Sequence, residues 1–432
     1  MNVFWAIFRD SFYESLHSRA LILLLVLALA LAAYCFGISF EPQNPDETLR
    51  IQTANLQNVY HPTGAWAIGP SIKAEDPEPV TPAMGFSADL ANGYSIAIEA
   101  PPDAVFDAMV TGFLDWREGK KQIPVAPKGE NVTPDLRLKF LTERYRFMGY
   151  TRVEVHHESG RRYRVAVFAD RPFEVAGATR IFYLYGRIEY KGASNTSMSE
   201  YVLELERDLA NLFAGMLGLI VALMVCASFV PNMLQKGTLE TILARPVPRG
   251  RLLFYKYLGS LWFVFIMSTA LFGVCWMAIS VRTGVWNPWF LACILTITAN
   301  FAVIHCVSVL FGVITRQGAI AGMIGLSFWG ISGQVVQTRE MMQMSADRGL
   351  SKVDPLVQKT LNTCYWILPK TTDFGHLNTL FLSRSALSED AYQRLYATTL
   401  PKIDWAWSMG STAVFCAVVL SFAILIFKRK DF

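Results

Sequence analysis

The most suggestive ligand cluster in the sequence is the triplet His156-His157-Glu158, because imidazole and carboxylate groups are ligands that zinc prefers. The zinc-protease pattern HExxH would need a histidine at position 161, and the sequence has Arg161 there. The sequence also contains no Walker A phosphate loop and no Ser-His-Asp arrangement with a nucleophile elbow. We therefore expect no catalytic residue, metal site or bound cofactor in this chain, and we place the triplet on an exposed strand.

A different kind of functional candidate is the basic segment 232–256, which follows an apolar run. Within it, Gly237 and Pro246 bracket about two turns of predicted helix. The apolar residues of this helix lie at helical spacing, opposite Glu240: Leu239, Ile242 and Leu243. A helix this short is not stable alone, so it must lie against the membrane, the spans or another protein. It suits docking into a partner's groove; an ordinary basic connection without a docking role is the alternative.

Polar side chains inside otherwise apolar runs form a third set of candidates. They are Asn300 and His305 in the fourth run and Gln334 in the fifth. Polar groups in a membrane span mark transport pathways, or they form hydrogen bonds and close contacts between neighbouring helices. Both interpretations stay open for these three residues and for the small-residue run 318–322.

Long uncharged runs are the elements that must position these residues. Hydrophobic residues make up 53% of the 432-residue chain and charged residues only 17%, whereas soluble domains have about 25% charged residues. A spanning helix needs about 20 apolar residues. Six uncharged runs qualify: Ala20–Phe40, Leu209–Val230, Tyr257–Val281, Trp289–Ile314, Gly318–Val336 and Trp405–Phe427. We predict a polytopic α-helical membrane protein with six transmembrane helices, the first an uncleaved span rather than a signal peptide.

The basic residues of the short connections predict the orientation. The loop 232–256 carries five basic residues against the single acid Glu240, and the C-terminal tail adds Lys428, Arg429 and Lys430. Because basic connections stay on the cytoplasmic side, both termini are predicted to lie in the cytoplasm, with the chain in a plasma or inner membrane. The net charge of +4 is too small to indicate a nucleic-acid partner.

The N-terminal segment is a further candidate for contact with membrane lipid. Phe4, Phe8 and Phe12 recur at a spacing of four residues, which is typical of one face of a helix. The segment is either a helix lying in the inner membrane interface or the frayed start of a long first span.

A domain-sized insertion, residues 41–208, separates the first two runs. From Tyr94 onward its polar and apolar residues alternate in four segments: 94–98, 150–155, 163–167 and 181–185. Alternation of this kind, with β-branched and aromatic residues, is typical of strands. We therefore predict a β-rich extracytoplasmic domain between helices 1 and 2. The predicted organisation is 1–40 (interfacial segment and first span), 41–208 (β-rich domain), 209–336 (spans two to five), 337–404 (extracytoplasmic loop) and 405–432 (sixth span and basic cytoplasmic tail).

The basic loop also carries an ordered motif. Its residues are Lys236-Gly237-Thr238-Leu239-Glu240, Arg245-Pro246-Val247 and Arg249, with Lys256-Tyr257-Leu258-Gly259 opening the next span. This pattern resembles the cytoplasmic segment of ABC-2 type transporter permeases. The resemblance is closest to the branch of NosY-like proteins and permeases linked to multicopper-enzyme maturation, and it covers 1–40 and 209–432.

This resemblance implies the permease subunit of an ATP-driven transporter, with export as the family-level expectation. A coupling helix would dock on a separate ABC ATPase subunit, which would bind ATP and Mg²⁺, and the membrane part would pair with a second permease copy or a related chain. The ATPase-coupling role then falls on Gly237, Thr238, Leu239, Glu240, Arg245, Pro246 and Arg249. The alternative function is a membrane-anchored sensor or scaffold that acts through the inserted domain, in which case the loop 232–256 would tolerate mutation.

Overall fold

The computed structural model describes residues 19–54, 56, 58–60, 66–68, 72–117, 132–190, 197–214, 216–234, 248–347, 355–384 and 403–429. These residues divide into two compact units. The inserted unit comprises Phe36–Val202, and the helical unit comprises the described residues before Phe36 and after Val202.

Both units contain helices, which we number in chain order. The described helices are α1 (Arg19–Phe36), α2 (Pro45–Ala54), α3 (Asp103–Arg117), α4 (Pro134–Phe147), α5 (Met198–Ala214), α6 (Met216–Cys226), α7 (Phe229–Met233), α8 (Arg249–Thr283), α9 (Trp289–Thr315), α10 (Gly318–Asp347), α11 (Pro355–Ile367), α12 (Asp373–Ser383) and α13 (Trp405–Arg429). Helices α2 to α4 belong to the inserted unit.

Five helical stretches within the described residues are long and apolar enough to cross a membrane: Met198–Met233, Arg249–Thr283, Trp289–Thr315, Gly318–Gln343 and Trp405–Arg429. Each of them contains one of the predicted spans. The first predicted span, Ala20–Phe40, is not confirmed. Helix α1 is described from Arg19 and ends at Phe36, where the chain turns at Gly37 and enters a strand at Ser39. The apolar helix found among its described residues is Val26–Phe36. Within the described residues the structure therefore shows five candidate spans, and the first of the six predicted spans stays a prediction.

Helix α9 is the central element of the helical unit, since it packs against α6, α8, α10, α12 and α13. One apolar cluster joins α7, the start of α8, the C-terminal half of α9 and the end of α13. A second cluster joins α6 to α8 and α9 through side chains such as Leu223, Phe263 and Phe301. By contrast, α10 and α13 leave most of their apolar surface exposed, which is typical of helices that face lipid or another chain.

The segment predicted as an extracytoplasmic loop, 337–404, contains helices in its described part. Helix α10 continues to Asp347, and α11 and α12 follow. Helix α12 packs against α9, and α11 packs against α10. Helix α12 buries Phe374 and Leu382, whereas α11 has no buried residue, and both helices belong to the helical unit.

The inserted unit contains antiparallel sheets. Its described strands are β1 (Ser39–Pro42), β2 (Asn58–Tyr60), β3 (Trp66–Ile68), β4 (Lys73–Ala74), β5 (Glu78–Pro79), β6 (Tyr94–Glu99), β7 (Arg152–Ser159), β8 (Arg162–Phe168), β9 (Thr179–Tyr183) and β10 (Ile188–Tyr190). The sheet orders are β1-β9-β10, β2-β3 and β4-β6-β8-β7, with β5 also paired to β6. The four strongly alternating segments of the sequence coincide with β6, β7, β8 and β9.

Helices cover part of these sheets, so the predicted description of the inserted domain as β-rich is not confirmed. Helix α4 packs on β7 and on α3, and α2 packs on β6. The apolar core between them includes Phe106, Phe140, Tyr145 and Val165. The start of α4 has a sequence signal that strand periodicity does not include, because Thr133 occupies the N-cap position and a proline follows it at the first helical position.

Candidate functional site

Six of the seven predicted coupling residues lie outside the described part of the chain: Gly237, Thr238, Leu239, Glu240, Arg245 and Pro246. The seventh, Arg249, is the half-buried first residue of α8, and Pro248 occupies the N-cap position before it. A proline directly before a helix suits this position, because its missing N–H group would not be used inside the helix.

The two ends of the loop 232–256 are held in one apolar cluster. Met233 and Leu234 lie at its start and Leu252 and Leu253 lie near its end, and all four are buried in the cluster that also contains Phe427 of α13. Because interiors of this kind are close-packed, a displacement of either end of the loop must move neighbouring helices as well.

Close contact between α8 and α13 brings several cations to one end of the helical unit. A Cβ atom on Gly250 would lie 2.8 Å from Cε of Lys428, so the first turn of α8 lies directly on the last turn of α13. Arg251, Lys428 and Arg429 are exposed there, and Arg316 is exposed at the turn between α9 and α10. Clustered cations at one end of a helical bundle are typical of its cytoplasmic side.

A break in the second predicted span lies directly before the loop. Helix α6 ends at Cys226 and α7 begins at Phe229, and Pro231 lies within α7. The hydroxyl of Ser228 donates to the carbonyl of Val225 at 2.9 Å, which satisfies one carbonyl that the break leaves without a helical partner. Proline and such a side-chain bond are recognised causes of a sharp helix kink.

The small-residue run 318–322 packs against this break. A Cβ atom on Gly318 would lie 2.9 Å from Cα of Ser228, and one on Gly322 would lie 3.3 Å from Cβ of Ala227. Larger residues would therefore push α10 away from the α6–α7 junction. Close helix packing accounts for these two glycines.

A half-open polar cavity lies in the helical unit, with a volume of about 210 Å³. Its polar lining consists of side-chain amides and hydroxyls: Asn211, Asn300, Gln334, Gln337, Thr371 and Thr372. Trp329 and three glycines complete the described lining, which contains no charged side chain. The Oγ1 atoms of Thr371 and Thr372 are buried and form no hydrogen bond with other described residues. Since a water molecule occupies roughly 30 Å³ in the liquid, the cavity can hold several waters or one small polar group.

Of the three intramembrane candidates, Asn300 and Gln334 line this cavity, and His305 does not. The ring of His305 stacks between Phe301 at 5.0 Å and Tyr257 at 5.8 Å, and it is fully buried. The hydroxyl of Tyr257 donates to the carbonyl of Ala302 at 3.0 Å, which fixes one side of the stack. His305 therefore packs between α8 and α9, at a distance of more than one helical turn from Asn300.

The wall of the cavity that contains Thr371 and Thr372 is held in place by two buried charged side chains. They were not predicted from the sequence. Lys370 and Asp373 are each only 1% exposed. The ammonium of Lys370 donates to the hydroxyl of Ser411 at 2.9 Å and lies 4.9 Å from the ring centroid of Tyr365. The carboxylate of Asp373 accepts a hydrogen bond from Ser408 on α13. Burial raises the pKa of Asp373 and lowers the pKa of Lys370.

Further contacts join this wall to α10. The hydroxyl of Ser332 donates to the carbonyl of Pro369 at 2.6 Å. Arg339 lies over the ring of Tyr365 at 4.0 Å and donates to the amide oxygen of Asn362 at 2.9 Å. The sequence signal for this network is the presence of a lysine and an aspartate within four residues, Lys370 to Asp373, in the segment predicted to be an extracytoplasmic loop.

A second buried acid, Glu206, was also missed. Its side chain is fully buried, and one of its oxygens accepts a hydrogen bond from the amide of Asn287 at 2.6 Å. The backbone carbonyl of Asn287 accepts a hydrogen bond from the indole of Trp276 at 2.9 Å. The other carboxylate oxygen of Glu206 has no hydrogen-bond partner among the described residues. This acid escaped notice because it precedes the uncharged run that begins at Leu209.

The His156-His157-Glu158 triplet lies on β7, whose residues at this end are exposed. His156 stacks on Phe86 at 4.4 Å, and His157 forms a hydrogen bond with the carbonyl of Gly160 at 2.9 Å. Glu158 accepts a 2.5 Å bond from Arg164. All three side chains thus have local partners within the inserted unit. No group of three or more ligand side chains suited to a metal ion occurs among the described residues.

Five helical stretches long and apolar enough to cross a membrane place the protein in the polytopic helical membrane class. The chain matches the family described as ABC-2 family transporter protein over residues 5–432. Since this match covers nearly the whole sequence, the chain belongs to the ABC-2 transporter family. A comparison with curated proteins found no match. The NosY-like branch within the family stays a prediction.

Proposed function

We propose that this chain is the membrane-spanning permease subunit of an ATP-driven exporter of the ABC-2 type. Membership of the family over residues 5–432 is the observation that carries the proposal. The chain itself would supply no catalytic residue and would bind no cofactor. A separate ABC ATPase subunit would bind ATP and Mg²⁺ and would dock on the loop 232–256.

The packing around that loop supports the coupling role. The loop leaves α7 and enters α8, and both of these helices are anchored in one apolar cluster with the end of α13. Motion of a docked ATPase would therefore reach α6 through the break at Cys226–Phe229 and α8 directly. These helices would adopt two arrangements, each opening the transport path to one side of the membrane. Nucleotide binding to the ATPase would shift the equilibrium between them.

The polar cavity supports a pathway through the helical unit. Asn300 and Gln334 contribute amides from two helices, and Thr371 and Thr372 contribute hydroxyls with unused hydrogen-bonding capacity. An uncharged lining of this kind suits a neutral group with several hydrogen-bond donors and acceptors better than an ion, because an ion would lose its hydration without a compensating charge. We propose that part of the substrate passes through this cavity.

The assembly would contain a second permease copy or a related chain in the same membrane. Exposed apolar surfaces on α10 and α13 offer area for that pairing and for lipid. The cations at the loop end of the helical unit favour a plasma or inner membrane with both termini in the cytoplasm and the inserted unit outside.

The competing function is a membrane-anchored sensor or scaffold that acts through the inserted unit. The two functions differ in what they require of the loop. Coupling needs specific contacts at Leu239 and Glu240, whereas a sensor needs only a connection of sufficient length.

Co-purification with a candidate ABC ATPase subunit tests the proposal. The two chains are co-expressed, purified and reconstituted, and ATP hydrolysis is measured with wild-type permease, with Leu239→Ala and with Glu240→Ala. We expect wild-type permease to bind the ATPase, and the two loop variants to lose binding or coupled hydrolysis. Glu75→Ala serves as the control, because Glu75 is an exposed acid of the inserted unit. Full activity of both loop variants would refute the coupling role and favour the sensor.

A further inference from the structure

The hairpin formed by β9 and β10 has an unusual tip. Four residues, 184–187, connect the strands, and the amide of Arg187 donates to the carbonyl of Tyr183 at 3.1 Å. Leu184, Tyr185 and Gly186 all have positive φ angles of 52°, 58° and 88°. The chain therefore passes through three consecutive residues in the left-handed region.

Leucine and tyrosine are poor choices for these two positions. In the left-handed region the Cβ atom crowds the following carbonyl, and glycine or asparagine is the usual occupant. A tip selected for turn stability would carry Asn-Gly or a similar pair. Backbone strain that is kept in spite of such easy relief is typical of functional positions. Leu184 and Tyr185 therefore have a role other than stabilising the turn.

The same tip carries most of the exposed large apolar side chains among the described residues of the inserted unit. Seven large apolar side chains are exposed among the described residues of this unit, and four lie on this hairpin: Leu184, Tyr185, Ile188 and Tyr190. Tyr185 is 69% exposed and Leu184 is 56% exposed. Arg187 is exposed beside them. Apolar side chains clustered at one exposed point indicate a surface that contacts lipid or another protein.

The hairpin also lies where the chain enters and leaves the inserted unit. The amide of Tyr185 donates to the carbonyl of Gly37 at 2.8 Å, and Gly37 directly follows α1, whose Val26–Phe36 part is apolar. The hydroxyl of Tyr183 forms a 2.8 Å hydrogen bond with the hydroxyl of Tyr201, which lies in the first turn of the Met198–Met233 stretch. Both connections to apolar helices therefore meet at the base of this hairpin.

We propose that residues 184–188 form a lipid anchor, which inserts into the interfacial region of the membrane leaflet beside the inserted unit. Tyrosine is enriched at this depth of a bilayer, because its ring is apolar and its hydroxyl is polar. Leu184 and Ile188 bury their side chains among the upper parts of the acyl chains, and Arg187 contacts lipid phosphates. The anchor fixes the inserted unit against the membrane, and it does so whether or not an ATPase is bound.

Spin-label accessibility in the full-length chain tests this anchor. Tyr185→Cys is labelled, reconstituted into phosphatidylethanolamine–phosphatidylglycerol vesicles, and measured by power saturation with oxygen and with a water-soluble nickel chelate. Arg161→Cys, at the exposed polar tip of the β7–β8 hairpin, is the matched control. Wild-type protein gives the background from native cysteines, which are buried or half-buried.

The expected result is that the label at position 185 is reached by oxygen more than by nickel, while the label at position 161 is reached by nickel. Equal access of nickel to both labels would overturn the proposal. Protection of position 185 from both reagents would also overturn it, because it would show a contact with protein rather than with lipid.

A turn variant separates insertion from folding. Leu184→Asn combined with Tyr185→Gly supplies the residues that the tip conformation prefers, so the unfolding temperature of the detergent-solubilised chain should stay equal or rise. In vesicles, a label at Ile188→Cys should become accessible to nickel in the protein that carries both turn substitutions. It should stay protected in the protein that retains Leu184 and Tyr185. Protection of position 188 in both backgrounds would show that the apolar pair does not anchor the hairpin.

Discussion

The two units of this protein distribute polarity in opposite ways. The inserted unit keeps an apolar core around Phe140 and Tyr145 and places its charges outside, as in the pair formed by Arg162 and Glu75, whose side chains are both about 60% exposed. The helical unit exposes apolar side chains on α10 and α13, and it buries Lys370 and Asp373 almost completely.

This difference follows from the solvent that surrounds each unit. Water solvates surface charges, so the inserted unit gains little from exposed ion pairs and much from apolar burial. Lipid provides no hydrogen bonds, so polar side chains of the helical unit must turn inward and find partners or a function there. Charges should therefore matter most for stability in the helical unit and least on the surface of the inserted unit.

The largest expected effect is at Asp373. Replacing it with alanine removes the acceptor of the Ser408 hydroxyl and the acid nearest to the buried ammonium of Lys370. We expect Asp373→Ala to lower the free energy of unfolding by about 3 kcal/mol, because a buried polar group and a buried charge lose their partners. Denaturant unfolding of the full chain in mild detergent measures this loss.

Asp373→Asn is the control for this prediction, since its amide oxygen still accepts a hydrogen bond from Ser408. It should retain more stability than the alanine variant. Equal stability of wild type and Asp373→Ala would show that buried charges are not essential to the helical unit.

Stability should also depend on pH through the same carboxyl. Burial raises the pKa of folded Asp373 above the ordinary value of 3.8 for an aspartate. Its contribution to stability is therefore complete below the unfolded pKa, and it is lost as the pH rises through the folded pKa. We expect wild type to lose stability relative to Asp373→Asn as the pH rises above the ordinary aspartate pKa, as measured by unfolding at each pH. A constant difference between the two proteins would contradict the raised pKa.

The polar cavity should affect transport more than stability. Asn300→Leu and Gln334→Leu keep the approximate side-chain size and remove hydrogen-bonding groups from the lining. If substrate passes there, each should lower transport by about tenfold, the equivalent of one lost hydrogen bond in the path. Substrate-stimulated ATP hydrolysis by the reconstituted complex measures this effect.

His305→Phe is the matched control, because position 305 lies in the stack between Phe301 and Tyr257 and outside the cavity. An aromatic ring is kept there, so both transport and stability should stay close to wild type. Loss of stability without loss of transport in the Asn300 and Gln334 variants would instead identify their role as helix–helix contact.

Sequence reasoning found the parts of this fold that follow from periodicity and length. The spans from Leu209 onward contain uncharged runs, and β6 and β8 lie on segments predicted as strands from their alternation, so local pattern was sufficient for both. The polar network around Lys370 could not be found in this way. Its partners Ser332, Ser411 and Arg339 lie 31 to 41 residues from Lys370 in the chain, and only tertiary packing brings them together. Tertiary packing also decides that Asn300 lines the cavity whereas His305, on the same helix, does not.

A smaller effect is expected in the core of the inserted unit, at Tyr145. The hydroxyl of Thr53 already donates to the carbonyl of Leu49 at 2.8 Å, so the buried hydroxyl of Tyr145 is the donor in the 2.8 Å bond between the two side chains. Tyr145→Phe removes this donor and leaves the apolar ring in place. We expect a loss of about 1 kcal/mol in the free energy of unfolding. Hydrogen exchange of the α2 and α4 amides in the full chain measures it, with Thr53→Val as the paired variant.

The smallest effect is expected at the surface pair of Arg162 and Glu75, and it is the sharpest test of the contrast between the two units. The two side chains approach to 3.9 Å, but water screens both of them, and ordering two long side chains offsets most of their attraction. Arg162→Ala should therefore change the stability of the neighbouring β6 and β8 amides by about 0.5 kcal/mol or less, as measured by native-state hydrogen exchange. A double-mutant cycle with Glu75→Ala isolates the pair itself from other effects of shortening the arginine. A coupling energy between Arg162 and Glu75 as large as the stability loss expected for Asp373→Ala would mean that these two side chains are buried in the assembled complex. The exposed charges of the inserted unit would then be explained by contact with a partner protein rather than by solvation in water.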